Sequence, residues 1–246
     1  MSEGHARTYS TVEQIRQRFD QDVERFSNLE TGQAAAMDSP LCTRLIAQAA
    51  CAVKPDLQSV LDIGCGAGNY TLVLLQELGR RNVQTTLLDL SMPMLDRAVM
   101  RVGQQVDPQP VAMQSDVREV DLGVEKYDII LAAAVLHHLR SDEEWDSVFA
   151  KLFASLTPGG WLWIYDMVEH DHPAIHALMR RRYAHYLEGL GGVAYREKVY
   201  DYVAMEDTPR SLADQLARMS RAGFVDAVVL HKTGCFAAFG AMKPGC

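Results

Sequence analysis

The chain has 246 residues, 48% of them apolar and 23% charged, and a net charge of −8. That is ordinary for a globular protein able to bury a full core. The acidic balance excludes nucleic-acid binding through bulk charge, although a local basic patch stays open. No apolar run of about 18 residues is present, so no membrane-spanning helix is expected. The N-terminus (MSEGHARTYS) is polar and carries no apolar leader. The five cysteines (42, 51, 65, 235 and 246) are odd in number and contain no Cys-x-x-Cys pair, which favours reduced thiols and a cytoplasmic location.

In chain order, Ile15, Phe19, Val23 and Phe26 fall on one face of an expected amphipathic helix spanning Ile15–Phe26. From residue 59 to about 165, apolar runs alternate with helical stretches, the pattern of βαβ units on a parallel sheet. Strands are expected at Ser59–Ile63, Thr85–Leu88, Val111–Gln114, Ile129–Ala132 and Trp161–Tyr165. Helices are expected near Asn69–Leu78, Pro93–Val102 (with Pro93 at the first helical position) and Asp142–Leu156. Thr157-Pro158-Gly159-Gly160 reads as a helix stop and turn. A helix at Ser211–Ala222 precedes strands at Ala227–His231 and Cys235–Ala241, joined by Lys232-Thr233-Gly234.

The first strand runs into Gly64-Cys65-Gly66-Ala67-Gly68-Asn69, three glycines at alternate positions and then a helix. Glycine permits a turn at positive φ and lets a ligand lie against backbone. Asp89 ends the next strand, 25 residues after Gly64, where an α/β sheet places a carboxylate for ribose hydroxyls. The spacing is Gly-x-Gly-x-Gly, one residue short of the dinucleotide pattern, and Asp62 sits where it would repel phosphate and attract an ammonium group. A nicotinamide cofactor is therefore disfavoured.

The segments VLDIGCGAG, LLDLS and LTPGG resemble motifs of the class I S-adenosylmethionine (SAM) methyltransferases. The resemblance covers roughly residues 40–243. It implies a Rossmann-like α/β fold: a seven-stranded, mostly parallel sheet with a C-terminal antiparallel hairpin strand, plus a helical cap. It also implies a SAM cradle of Asp62, Gly64, Cys65, Gly66 and Gly68, with Asp89 on the ribose and Leu90 and Met94 flanking the adenine. Asp116 and Val117 would meet the adenine edge, and Ala132 and Ala133 would leave room for the methionine part. S-adenosylhomocysteine would be the product. His137 and His138 follow at the mouth of the expected pocket, where a histidine is suited to take the acceptor's proton.

Phe19-Asp20-x-x-Val23-x-x-Phe26, the long segment 167–206 and Ser211–Phe239 with its Arg221-Ala222-Gly223-Phe224 turn resemble more closely the bacterial transfer-RNA wobble-uridine carboxymethyltransferases. In that family a carboxylated SAM is held by an asparagine after the fourth strand and an arginine from the insertion. Here Ala132 or Ala133 replaces the asparagine, and Arg196-Glu197-Lys198 lies near the arginine position. Plain SAM is thus expected over carboxy-SAM.

Two units are expected, an N-terminal helical lid at 1–40 and a methyltransferase domain at 41–246 with a cap insertion at 167–206. The insertion holds five of the nine tyrosines and four of the eight histidines, and reads as an acceptor wall or a homodimer interface. His172 and His176 are four apart, but Pro173 makes His172 a helix cap and no third ligand follows, so no metal is expected. Arg180-Arg181-Arg182 reads as a solvated helix face or a tRNA contact. The expected function is methyl transfer from SAM to an O, N or C atom of a small molecule. A tRNA-modifying (carboxy)methyltransferase and a non-catalytic SAM-binding regulator are the alternatives.

Overall fold

In the computed structural model, which describes residues 9–245, a seven-stranded sheet is ordered β3-β2-β1-β4-β5-β7-β6. The strands are β1 (Ser59–Ile63), β2 (Gln84–Asp89), β3 (Val111–Gln114), β4 (Tyr127–Ala133), β5 (Leu156–Met167), β6 (Val225–Thr233) and β7 (Phe236–Met242). The first five are parallel; β7 inserts antiparallel beside β5 and pairs with β6 at the edge. Every residue of β4 is buried, as a central strand covered on both faces must be. The strand order reverses between the parallel neighbours β1 and β4, which opens a crevice at the carboxyl ends of those strands.

Helices α1 (Val12–Asp20), α2 (Val23–Phe26), α3 (Ser39–Val53), α4 (Asn69–Leu78), α5 (Met92–Val102), α6 (Asp142–Ser155), α7 (Pro173–Glu206) and α8 (Leu212–Ala222) cover the sheet and its crevice. Local chemistry sets their ends. Ser91, Ser141 and Ser211 each accept a backbone N–H of the first turn, and Asp142, Glu143 and Glu144 favour the positive end of α6. Gly79 and Gly223 close α4 and α8 in the left-handed conformation. Among the described residues no helix is long and apolar enough to cross a membrane.

Several boundaries differ from the sequence expectation. The single helix over Ile15–Phe26 is two helices, α1 and α2. Asp20 and Asp22 place short acids at the negative end of α1, and the Gln21 N–H bonds back to Arg18 and Phe19. Phe19 and Phe26 still pack together, their centroids 5.6 Å apart. Thr157–Gly160 does not separate helix from strand: β5 begins at Leu156, and the register shift between Tyr127 and Ile129 absorbs the extra residues. Pro93 is the second helical residue, since Ser91 caps and Met92 leads. The hairpin link is Gly234-Cys235, with Gly234 at φ +50°, so Lys232 and Thr233 belong to β6. Segment 167–206 is mostly the 34-residue α7, interrupted at Gly191 and Gly192, where Gly192 takes φ +75°.

Trp163 of β5 pairs with Gly240 of β7, and its ring lies over the glycine. A Cβ on Gly240 would meet Trp163 Cε3 at 2.3 Å and the Leu162 carbonyl oxygen at 2.6 Å. Gly240→Ala is expected to cost about 1–3 kcal/mol by overpacking. A urea midpoint equal to that of the parent chain would contradict this packing.

Candidate functional site

The crevice holds two adjoining chambers, a first reaching from the β1–α4 turn to Phe236 and a second beside Asp116. Gly64, Asp89, Leu90, Val135, His138 and, from α1, Ile15 border both. The β1–α4 turn forms the floor, and its three glycines do different work. Gly64 lets the turn approach Val135, whose Cγ2 would lie 2.6 Å from an added Cβ. Gly66, at φ +50°, would point a Cβ into open space. Gly68 instead lets α4 approach Val102 and Ala98 of α5, and it does not face the cavity.

Asp89 is clamped at the end of β2. Its Oδ2 accepts the Gly66 N–H at 2.8 Å and its Oδ1 accepts the Ser91 N–H at 2.9 Å. Each oxygen keeps acceptor capacity for a diol. Burial pushes its pKa up, while the backbone N–H bonds oppose that shift. Asp62 is fully buried beside the turn, accepts the Thr71 hydroxyl at 2.7 Å, and is pushed up by burial to about 7. Cys65 borders the cavity as a thiol whose ionisation burial suppresses.

The second chamber lies beyond Leu90, between Ser115-Asp116-Val117 and the segment Tyr9–Val12. Asp116 is gripped by Arg118 at 2.9 and 2.5 Å, and those contacts outweigh burial and hold its pKa down. Met94 borders the first chamber, next to Leu90, which borders both. Ala132 is enclosed within the sheet; Ala133, Ala134 and Val135 line the cavity in its place. Ala134 takes φ +53° and donates its N–H to Tyr165 at 2.7 Å.

The first chamber extends past His137 and His138 to Phe19, Phe26, Met167, Tyr183, Tyr202 and Phe236. Of the five cap tyrosines only Tyr183 and Tyr202 line it. Tyr186 and Tyr200 bond Ala34 and Arg180 carbonyls, and Tyr195 packs against the core. Arg196 pairs with Glu188 and Glu197 away from the cavity, whereas Arg18 and Arg25 of the N-terminal helices reach it. His172 caps α7 by accepting the Ala174 N–H. Arg181 and Arg182 are exposed, and Arg180 stacks on Tyr200.

The histidine pair sits on a single 3-10 turn, Leu136–His138. His137 Nδ1 is hydrogen-bonded to Asp166, and its Nε2 lies 3.7 Å from Asp207 Oδ1. Burial opposes its charge, but Asp166 and Asp207 prevail and push its pKa up to about 9. His138 is held well below the usual histidine range by burial and by its neighbour His137. Asp166 and Asp207 were not anticipated from sequence. Asp166 had a readable signal, an acid near the end of a buried apolar strand, whereas Asp207 follows a long helix with no local cue.

Comparison with known proteins decides the class, because residues 61–162 match the family described as a methyltransferase domain. This chain carries a methyltransferase domain over residues 61–162. The carboxy-S-adenosyl-L-methionine synthase of Shewanella amazonensis is 26% identical over 190 residues, covering 75% of this chain and 76% of that protein. In fold the methyltransferase resembles the 1,6-didemethyltoxoflavin-N1-methyltransferase of Burkholderia thailandensis, solved with its acceptor and S-adenosylhomocysteine. The TM-score is 0.62 at 18% identity, covering 94% of this chain and 87% of that one. An O-methyltransferase family protein from the same organism gives a TM-score of 0.58 at 15% identity, covering 88% of this chain but only 61% of that longer chain.

The cavity fits the cofactor. Asp89 presents spare acceptors to a diol, Gly66 leaves room where a Cβ would intrude, and Asp62 offers an acid to an ammonium group. Asp89→Ala is expected to weaken SAM binding by about 1.5–3 kcal/mol, and Gly66→Val to abolish it while the protein stays folded. Calorimetry reads both; unchanged affinity in Asp89→Ala would remove the ribose assignment.

Asp62 adds a pH signature. Its ordinary pKa of 3.8 rises to about 7 on folding, so the unfolded chain sheds this proton first. Stability from this group is full below pH 4 and is lost as pH rises to 7. Asp62→Asn should therefore match the parent chain's urea midpoint near pH 4 and exceed it at pH 8. Equal differences at both pH values would contradict this.

Proposed function

We propose that this methyltransferase moves the sulfonium methyl of SAM to an O, N or C atom of a small planar molecule held in the chamber behind the histidines. The carrying observation is that two cavities share a wall: one beside Asp116, one with an aromatic lining behind the histidines, and the clamped Asp89 bordering both. Adenine would lie between Leu90 and Val117, the ribose on Asp89, and the methionine part over Gly66 and Ala133 with its ammonium towards Asp62. SAM supplies a methyl on a positively charged sulfur, already a good leaving group.

The protein's task is then orientation and exclusion of water, worth about 7–11 kcal/mol where alignment is good. Phe19, Phe26, Tyr183, Tyr202 and Phe236 would sandwich a ring, and His137 and His138 would meet its reacting atom. Residues 9–37 act as the lid in this reading. They are tied across the strand ends by Asn69 to Phe26, Tyr183 to Ala35 and Tyr165 to Met37, at 2.8, 3.0 and 2.7 Å. A cytoplasmic location belongs to the same proposal, as does a homodimer through 167–206, favoured by exposed Ile175, Leu178, Leu190 and Val193.

A second reading follows from the relatives named carboxy-SAM synthases. Arg18 and Arg25 offer cations to a carboxylated group, although the insertion arginine expected from sequence stays outside the cavity. Incubation with methyl-deuterated SAM and separated small-molecule and RNA fractions distinguishes the readings. The label should enter a small molecule as S-adenosylhomocysteine accumulates. Label in RNA would support the tRNA alternative, and SAM binding without transfer would support the regulator.

A further inference from the structure

We propose that Asp207 is a positioning residue that presents His138 as the general base of the transfer, and that the N-terminal helix holds Asp207 in place. This rests on the methyl-transfer reading above. The two histidine rings are neighbours, with centroids 4.3 Å apart, yet their nitrogens have different partners. His137 Nδ1 is committed to Asp166, whose other oxygen accepts the His137 backbone N–H at 3.1 Å. Its Nε2 faces Asp207 Oδ1 at 3.7 Å. A histidine between two carboxylates is a proton holder, not a proton acceptor.

His138 has the opposite arrangement. Its Nδ1 faces two acceptors, Asp207 Oδ1 and the Glu206 carbonyl, each at 3.3 Å. Two acceptors place the proton on Nδ1 and leave the lone pair on Nε2. His138 borders both chambers, and among the described residues its Nε2 has no hydrogen-bond partner. Asp207 Oδ1 is buried and has no formed hydrogen bond among the described residues, so its 3.3 Å approach to His138 Nδ1 is a charge contact beside the hydrogen bond to the Glu206 carbonyl. This is the arrangement of a base oriented by a third group.

The carboxylate reaches this point because the end of α7 is tied on three sides. The Asp207 N–H bonds Val203 at 3.1 Å, and the Thr208 N–H bonds the His137 carbonyl at 2.7 Å. Arg18 of α1 grips Glu206, with Nε at 2.9 and 3.0 Å from its two oxygens, and the Ser10 N–H bonds the Met205 carbonyl at 2.9 Å. The charged groups around the pair are Asp166 from β5, Glu206 and Asp207 from the end of α7, Arg18 from α1, and Arg140 after the histidine turn. Closing the lid and assembling the base are one event.

In the transfer, the acceptor's proton passes to His138 Nε2 while the acceptor's electron pair takes the methyl and the S–C pair stays on sulfur. His138 then returns the proton to solvent as product leaves.

Nitrogen NMR of the full chain labelled with 15N-histidine and saturated with S-adenosylhomocysteine tests this without an acceptor. His138→Gln and His137→Gln assign the signals. His138 is expected in the Nδ1–H tautomer, and His137 doubly protonated at pH 7.5. Asp207→Asn should move His138 to the Nε2–H tautomer and lower the His137 midpoint by about one unit or more. Arg18→Met should leave His138 as a mixture of tautomers. An Nε2–H His138 in the parent chain, or a tautomer unmoved by Asp207→Asn, would overturn the proposal. So would stoichiometric zinc uptake shifting both histidines, because His137, His138 and Asp207 would then be cation ligands. Failure to bind S-adenosylhomocysteine by calorimetry would reject the cofactor reading separately.

Discussion

The hydrogen bond from the Gly66 N–H to Asp89 Oδ2 ties the end of β1 to the end of β2 and sets everything above it. It needs a backbone turned at positive φ, hence a glycine, and an acid whose other oxygen is pinned by Ser91 at the start of α5. With that link in place, α4 and α5 close on each other across Gly68 and the crevice between β1 and β4 acquires a rigid floor. Burying a carboxylate there costs solvation. Two charge-assisted backbone bonds offset that cost, and they keep the group facing the cavity.

The roof is built from chain segments remote in sequence. Residues 9–37 cross the strand ends held mainly by tyrosine hydroxyls donating to backbone carbonyls, while their aromatic side chains face inward. In the lid reading proposed above, a segment attached by polar bonds at its rim and apolar contacts beneath would lift without unfolding the core. Arg18 has three contacts at once: it grips Glu206, stacks on Phe19 and on Tyr202, and borders the cavity. Lid position and cavity chemistry therefore share a residue.

The parts legible in the sequence were those with a local cause. The glycine turn, the acid ending β2, the buried β4 and the His172 cap of α7 each follow from spacing or propensity, and they appear as expected. The parts that were not legible depend on tertiary partners. Nothing near Asp207 marks it as a neighbour of His138, because 34 residues of helix carry it there. Cap composition pointed to tyrosines in the wall, but helical rotation turns only Tyr183 and Tyr202 inward. Met94 lines the cavity from α5, whereas Ala132 is enclosed in β4 and its neighbour Ala133 lines the cavity.

The central claim is that one cavity holds SAM beneath a lid made of α1, α2 and α7. Amide hydrogen exchange on the full chain, with and without S-adenosylhomocysteine, tests it most directly. The account predicts slower exchange in the ligand state at three places: Gly64–Asn69, Leu90–Met94, and the two lid segments Val12–Phe26 and Pro173–Glu206. Protection confined to sites outside the β1–α4 turn, or lid segments exchanging equally fast in both states, would contradict it.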